Sequence, residues 1–362
     1  MLAAAALAVA LGGTAASPAT AASVDVATAA AGRLEHGIGP VAAAGDVNGD
    51  GYGDLIVGHV FGDPRPRTEA EEPRSGAYVV FGRPALGVVD LARLGPTGFR
   101  IVGPPTVSTG ADRVAGAGDF NGDGLSDVVL TLEHAEPFSR RIPGSRVRHG
   151  VRGAAYVVFG SRSPTDADLG SLGARGAIVK GIGSGAAAGA GDFNGDGRSD
   201  LAVGDDQSTT DGTVHVVYGG ATGTVDVAAL RGRGVSFPGA PGDLVAGRAV
   251  AGAGDFNGDG LADVVAGAPI SLGAAVPEDA GEIYGPGAAY VIFGRASSRR
   301  TRLDRLGSGG FRIAARSFGL IGAAVAGAGD VNGDGHDDVV VGAPVHRLTR
   351  RVGAGAAFVV FG

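Results

Sequence analysis

One nine-residue phrase is written five times along this chain. It reads DVNGDGYGD at 46–54, DFNGDGLSD at 119–127, DFNGDGRSD at 192–200, DFNGDGLAD at 255–263 and DVNGDGHDD at 330–338. The starts fall 73, 73, 63 and 75 residues apart, so the fold must be an array of similar units. Within each phrase oxygen donors occupy positions 1, 3, 5 and 9. These are Asp46, Asn48, Asp50 and Asp54; Asp119, Asn121, Asp123 and Asp127; Asp192, Asn194, Asp196 and Asp200; Asp255, Asn257, Asp259 and Asp263; and Asp330, Asn332, Asp334 and Asp338. The backbone carbonyl at position 7 would come from Tyr52, Leu125, Arg198, Leu261 and His336. Hard cations such as Ca²⁺ take about six to eight oxygen ligands, and glycine at position 6 permits the sharp turn. Five structural calcium sites are therefore expected. Position 12 is Val57, Leu130, Val203, Ala266 or Val341, so the glutamate of an EF-hand is missing.

The residues around each phrase repeat as well. A small-residue run precedes it (41–45, 114–118, 187–191, 250–254, 325–329), and a β-branched run such as Asp338-Val339-Val340-Val341 follows. A third segment reads GAYVVFG or a variant at 76–82, 153–160, 212–219, 287–294 and 355–362. A fourth recurs at 98–103, 176–181, 234–239 and 310–314. Each unit thus offers four short β-rich segments bounded by glycine, proline and aspartate turns. Leu91–Leu94 and Leu303–Leu306 have at most the length of a single helical turn.

Four strands in about 70 residues is the pattern of a propeller blade, a small sheet that buries its faces only against neighbours. The expected fold is an all-β propeller of four-stranded antiparallel blades, with five repeats counted. The fifth repeat lacks a fourth strand, and Val24–Thr28 is the candidate to complete it and close the ring. The alternative is part of a larger ring.

Composition narrows the class. Net charge is −7 with no large basic block, so nucleic-acid binding is not expected. The ligand positions hold 15 of the 37 acidic residues, which places the acidity where a divalent cation would neutralise it. There are 69 glycines and no cysteine, so disulfides and thiolate metal sites are excluded. Residues 2–13 form a short apolar run, with an A-x-A site at Ala19-Thr20-Ala21. This reads as a signal peptide over 1–21, leaving 22–362 as one repeat domain, secreted or held at the cell surface. No stretch is long and apolar enough to cross a bilayer as a helix.

The GDFNGDGxxD phrase, followed by Gly267-Ala268-Pro269 or Gly342-Ala343-Pro344 and then GAAYVVFG, resembles the FG-GAP repeat of integrin α-subunit propellers. Bacterial secreted proteins and a phospholipase D acting on glycosylphosphatidylinositol carry similar repeats. The resemblance covers about residues 24–362 and implies calcium in the hairpin joining the first two strands of a blade. Integrin propellers have seven blades, only some with calcium. The second repeat has Val129-Leu130-Thr131-Leu132 where GAP would fall.

Function is less sharply drawn. The variable segments His59–Ser75, Leu132–Arg152 and Pro269–Pro286 read as loops between second and third strands, at the end opposite the calcium turns. Arg140, Arg141, Arg146, Arg148 and Arg152 could meet an acidic ligand or form a solvated loop. Tyr78, Phe81, Tyr156, Phe159, Tyr290 and Phe293 read as packing between blades, with sugar stacking as the rival. No G-x-S-x-G, H-E-x-x-H or Walker A pattern occurs. The reading is a secreted, monomeric binding or adhesion module for a protein or glycan. The alternative is an extracellular hydrolase or lyase on the same scaffold.

Overall fold

The first strand of every repeat ends in Ala-Gly, and there its pairing with the second strand slips by one residue. The slip lies between Ala43 and Gly45, and again between Gly116 and Gly118, Gly189 and Gly191, Gly252 and Gly254, and Gly327 and Gly329. Each closing glycine has a positive φ, from 66° at Gly118 and Gly329 to 76° at Gly45. This is a β-bulge that bends the strand into the nine-residue loop. The computed structural model describes residues 32–35, 39–59, 76–104, 111, 113–140, 148–183, 185–206, 211–271, 287–314, 319–344 and 355–362.

Among these residues the regular structure is β-strand and short 3₁₀ turns, with no α-helix. Five repeat sheets follow one another. The first is Val41–Gly45, Asp54–His59, Gly76–Val80 and Gly98–Val102; the second is Arg113–Gly118, Asp127–Arg140, Arg148–Val158 and Gly176–Ile182. The third is Ala187–Gly191, Asp200–Asp205, Thr213–Val217 and Gly234–Pro238; the fourth is Ala249–Gly254, Asp263–Ala268, Ala288–Ile292 and Gly310–Ala314. The fifth has three strands, Ala324–Gly329, Asp338–Ala343 and Ala356–Val360. All are antiparallel meanders, so the nine-residue turns and the second-to-third-strand connections lie at opposite ends, as the sequence suggested. This is the sheet pattern of a β-propeller.

Neighbouring residues on one strand point to opposite interfaces, the period-two rule of a strand. Val128, Leu130 and Tyr156 pack on Ile56, Val79 and Phe99 of the preceding sheet. Val129 and Val157 pack instead on Leu201, Val203 and Val217 of the following one. The third and fourth sheets meet through Val214, Val216 and Phe237 against Val264, Ala266 and Tyr290. The fourth and fifth meet through Val265, Val291 and Phe311 against Val325, Val339 and Val360. Tyr156, Tyr290, Phe81 and Phe293 all fall within these inter-sheet clusters.

First strands crowd each other along the array. A Cβ on Gly116 would lie 3.0 Å from the Ala43 carbonyl oxygen, on Gly189 2.9 Å from that of Gly116, and on Gly252 2.9 Å from that of Gly189. Only glycine lets these backbones approach so closely.

Several expectations change. Within Leu132–Arg152, read as a loop, the second-sheet strands continue past an irregularity at Leu132/Glu136 as a paired arm, from Glu136 with Arg152 to Arg140 with Arg148. Arg140, Arg148 and Arg152 lie on this arm, while Arg141 and Arg146 lie outside the described residues. The signal-peptide segment 1–21 and Val24–Thr28 also lie outside them. The first described strand is Gly32–Glu35, which pairs in parallel with Gly87–Asp90 and not with the fifth sheet. Its placement matches that of two fourth strands, Gly98–Val102 beside Ala167–Asp168 and Gly176–Ile182 beside Gly223–Asp226. Those short parallel strands were not anticipated. Each leads into a 3₁₀ turn, Leu91–Arg93, Leu169–Ser171 or Val227–Ala229, capped by the side chain of Asp90, Asp168 or Asp226.

Candidate functional site

Every nine-residue phrase folds into a loop organised by its own carboxylates. In the first, Asp46 Oδ1 accepts the amides of Gly49 (2.7 Å) and Asp50 (3.1 Å), and Oδ2 accepts Gly51 (2.9 Å). Asn48 Oδ1 accepts the Asp50 amide (2.8 Å), and Asp50 Oδ1 accepts that of Tyr52 (2.9 Å). Asp119, Asp192, Asp255 and Asp330 likewise receive the amides of their own position-5 and position-6 residues. Positions 5 and 7 repeat their contact at Leu125, Arg198, Leu261 and His336. Position 12 lies in a strand in all five repeats, which removes the second helix an EF-hand requires.

Position 9 is different. Asp127, Asp200, Asp263 and Asp338 are fully buried and Asp54 nearly so. One oxygen accepts the amide of position 2: Val47, Phe120, Phe193, Phe256 or Val331, at 2.8–3.1 Å. The other accepts the amide of the glycine closing the third strand: Gly82, Gly160, Gly219, Gly294 or Gly362, at 2.7–3.0 Å. The same aspartate that closes the candidate ligand set thus pins the loop to the sheet. The closing glycine is required sterically, since a Cβ at Gly160 would lie 2.6 Å from the Ser126 carbonyl. Sequence reasoning overlooked this glycine, although it ends all five third segments.

Electrostatics leave these carboxylates short of positive charge. Burial pushes Asp127 and Asp200 up to about 7 and Asp263 up to about 6, despite the amides that favour ionisation. Neighbouring carboxylates add to the rise: Asp123 for Asp127, Asp196 and Asp192 for Asp200, and Asp259 for Asp263. Burial also raises Asp54.

Among the described residues no three His, Asp or Glu side chains are gathered as ligands around one point. The oxygens of positions 1, 3 and 5 are turned to the loop's own amides; Oδ1 of Asp46 accepts two of them, while its Oδ2 accepts one and keeps a further lone pair. The donor chemistry fits a hard cation: three carboxylates, one amide oxygen and one carbonyl, with no soft ligand.

Comparison with known proteins follows the repeat. The family model described as FG-GAP repeat matches residues 184–217, 246–292 and 322–360, that is, the third, fourth and fifth units. Integrin alpha-PS5 of Drosophila melanogaster is 34% identical over 108 residues, which is 30% of this chain and 9% of that protein. The match therefore spans a small part of the integrin's length.

Proposed function

We propose that this chain, which carries FG-GAP repeats in three stretches, is a calcium-stabilised β-propeller that acts outside the cell as a binding or adhesion module. The observation that carries the calcium reading is position 9. A buried aspartate stands beside two more carboxylates in each short loop, and burial raises the proton affinity of Asp54, Asp127, Asp200 and Asp263. A divalent cation would relieve that repulsion. Positions 1, 3, 5 and 9 and the carbonyl of position 7 would hold it, and its chemistry is structural: it neutralises and rigidifies one end of the array. Among the described residues no helix is long and apolar enough to cross a membrane.

Ligand binding is assigned to the sheet array by its resemblance to adhesion proteins. The site for a protein or glycan is assigned to the segments that join second and third strands, whose residues 60–75, 141–147 and 272–286 lie outside the described residues. Secretion rests on the leader-like residues 1–21, and the ring is read as closing with five blades.

Thermal unfolding of the purified chain, with EGTA and across a calcium titration, tests the metal reading. A midpoint that climbs with calcium, together with about five bound ions by metal analysis, is the expected result under simple linkage. An unchanged midpoint and no bound metal would leave the aspartates as turn formers alone.

A further inference from the structure

The connection between third and fourth strands contains a 3₁₀ turn in four repeats, but its charge differs among them. Residues 83–100 carry Arg83, Arg93 and Arg100 against Asp90; residues 162–180 carry Arg162, Arg175 and Lys180 against Asp166 and Asp168; residues 220–236 carry Arg231 and Arg233 against Asp226. Residues 295–312 carry six arginines, Arg295, Arg299, Arg300, Arg302, Arg305 and Arg312, against Asp304 alone. This concentration stands in a chain whose net charge is −7.

The fold does not ask for it. In the first three repeats an aspartate caps the 3₁₀ turn that follows the short strand. In the fourth, Arg302 takes the capping place and makes no cap hydrogen bond. A capping side chain stabilises such a turn, so an arginine in its place runs against local stability. Arg302 pairs with Asp304 (3.0 Å), and Arg312 reaches Asp243 (3.5 Å). Arg299, Arg300 and Arg305 are exposed and have no acidic partner among the described residues.

The backbone beneath them is held in place. The segment follows Gly294, whose amide donates to Asp263, and is tied to the third nine-residue loop by Arg295 N–H to Phe193 O (2.7 Å). Thr301 N–H donates to Ser236 O (3.4 Å). The Arg295 guanidinium lies 4.7 Å from the centre of the Phe237 ring, and one of its nitrogens donates to Arg299 O (3.0 Å). Leu303 and Leu306 are buried in the cluster between the third and fourth sheets. The free guanidiniums therefore project from a fixed edge.

We propose that this rim, residues 295–312, binds an acidic polysaccharide through Arg299, Arg300 and Arg305. Guanidinium forks match carboxylate and sulfate oxygens, and a thin polymer can follow a narrow strip. Duplex nucleic acid fits less well, because three guanidiniums on one narrow strip meet few phosphates of a broad, densely charged duplex. The strip also lacks a stacking aromatic: its only ring, Phe311, lies in the cluster between the fourth and fifth sheets. An acidic peptide would find no apolar anchor, since Leu303 and Leu306 are buried. The inference gives the binding-module reading a ligand class at a second place, and does not depend on calcium.

The test uses the full chain on surfaces of dextran, carboxymethyl dextran and dextran sulfate, with duplex DNA as competitor. Retention on one or both charged dextrans and none on dextran is expected, weakening as salt rises; which charged surface wins separates carboxylate from sulfate recognition. Arg299→Ser/Arg300→Ser/Arg305→Ser should lower affinity about tenfold or more with an unchanged melting temperature, because each lost contact removes a released counterion. The matched variant Arg93→Ser/Arg162→Ser/Arg231→Ser should leave affinity within about threefold on the same counterion argument. Equal loss in both variants, no loss in the first, or equal retention on plain dextran overturns the proposal. Competition by DNA at equal charge concentration overturns the polysaccharide assignment. Failure here leaves the calcium titration untouched, so the two readings fall separately.

Discussion

The amide of Ser199 donates to the carbonyl oxygen of Asp119 at 3.0 Å, fastening position 8 of one loop to position 1 of the loop before it. The same bond joins Ser126 to Asp46 (2.9 Å), Ala262 to Asp192 (3.0 Å) and Asp337 to Asp255 (3.2 Å). Because it runs from main chain to main chain, position 8 tolerates serine, alanine or aspartate. The nine-residue loops are therefore a connected series, and whatever orders one restrains the next.

That series makes the position-9 aspartate the most damaging single loss. Asp200 is fully buried and accepts three amides, from Phe193 and Asn194 at 3.1 Å and Gly219 at 2.7 Å. Asp200→Ala strands all three donors and should cost about 2–4 kcal/mol in denaturant unfolding. A loss under about 0.5 kcal/mol, the range of ordinary surface changes, would mean that the loop is held by other contacts.

Two glycine substitutions should behave oppositely. At Gly252 a Cβ would meet the Gly189 carbonyl oxygen at 2.9 Å, and neither backbone can yield without separating two sheets. Gly252→Val is expected to cost about 1–3 kcal/mol, the usual penalty for overpacking. Gly53 has open space where its side chain would be, and Gly53→Ala should stay within about 0.5 kcal/mol of the parent. Melting temperatures of the pair decide whether close approach of first strands governs stability.

A pH dependence should come from His215. Its ring is 5% exposed, Nδ1 meets Ser236 Oγ at 2.9 Å, and Nε2 has no partner. Burial, helped by Arg300, lowers it from 6.5 to about 4. Between those values the unfolded chain binds a proton that the folded one refuses. Stability from this group is thus intact above pH 6.5 and drains as pH falls towards 4, by about 3 kcal/mol in all. His215→Gln should show a shallower fall across that window. The difference between the two curves isolates the histidine, because the buried aspartates titrate in both proteins. Parallel curves would refute the assignment.

Tyr290 has no exposed surface, and its hydroxyl donates to the buried Asp243. Arg312 Nε donates to the same hydroxyl at 3.2 Å. Tyr290→Phe removes the group between carboxylate and guanidinium and should destabilise by about 1–3 kcal/mol, the cost of leaving buried polar atoms short of a partner. Circular-dichroism melts would check it, and an unchanged midpoint would show that Asp243 is satisfied without the tyrosine.

The strands were legible because each is short, β-branched and bracketed by glycine, so period and turn signals agree. The paired arm of residues 136–140 and 148–152 was missed because Pro137 sits inside it, and proline ordinarily demotes a strand; here it lies opposite Val151 in a continuing strand pair. The short strand Gly223–Asp226 was missed for another reason. Its partner Gly176–Ile182 belongs to the preceding repeat, and four residues alone carry too little alternation to be read. The D-x-x-x-L spacing of Asp90–Leu94, Asp168–Leu172 and Asp226–Leu230 was the available signal.

Taken alone, the sequence determined the period of the array, the recurring antiparallel strands of each unit and the carboxylates clustered in every loop. These follow from local chemistry: glycine where φ must be positive, β-branched side chains where a strand must be stiff, and carboxylates clustered within nine residues. Tertiary structure decided the rest. It assigned Asp200 to the amide of Gly219 as well as to its own loop, and laid the Gly252 backbone against Gly189. It also tied Arg295 and Thr301, at the start of the arginine-rich segment, to the third repeat. Each of these joins residues distant along the chain, and only the stacking of one sheet on the next determines which of them meet.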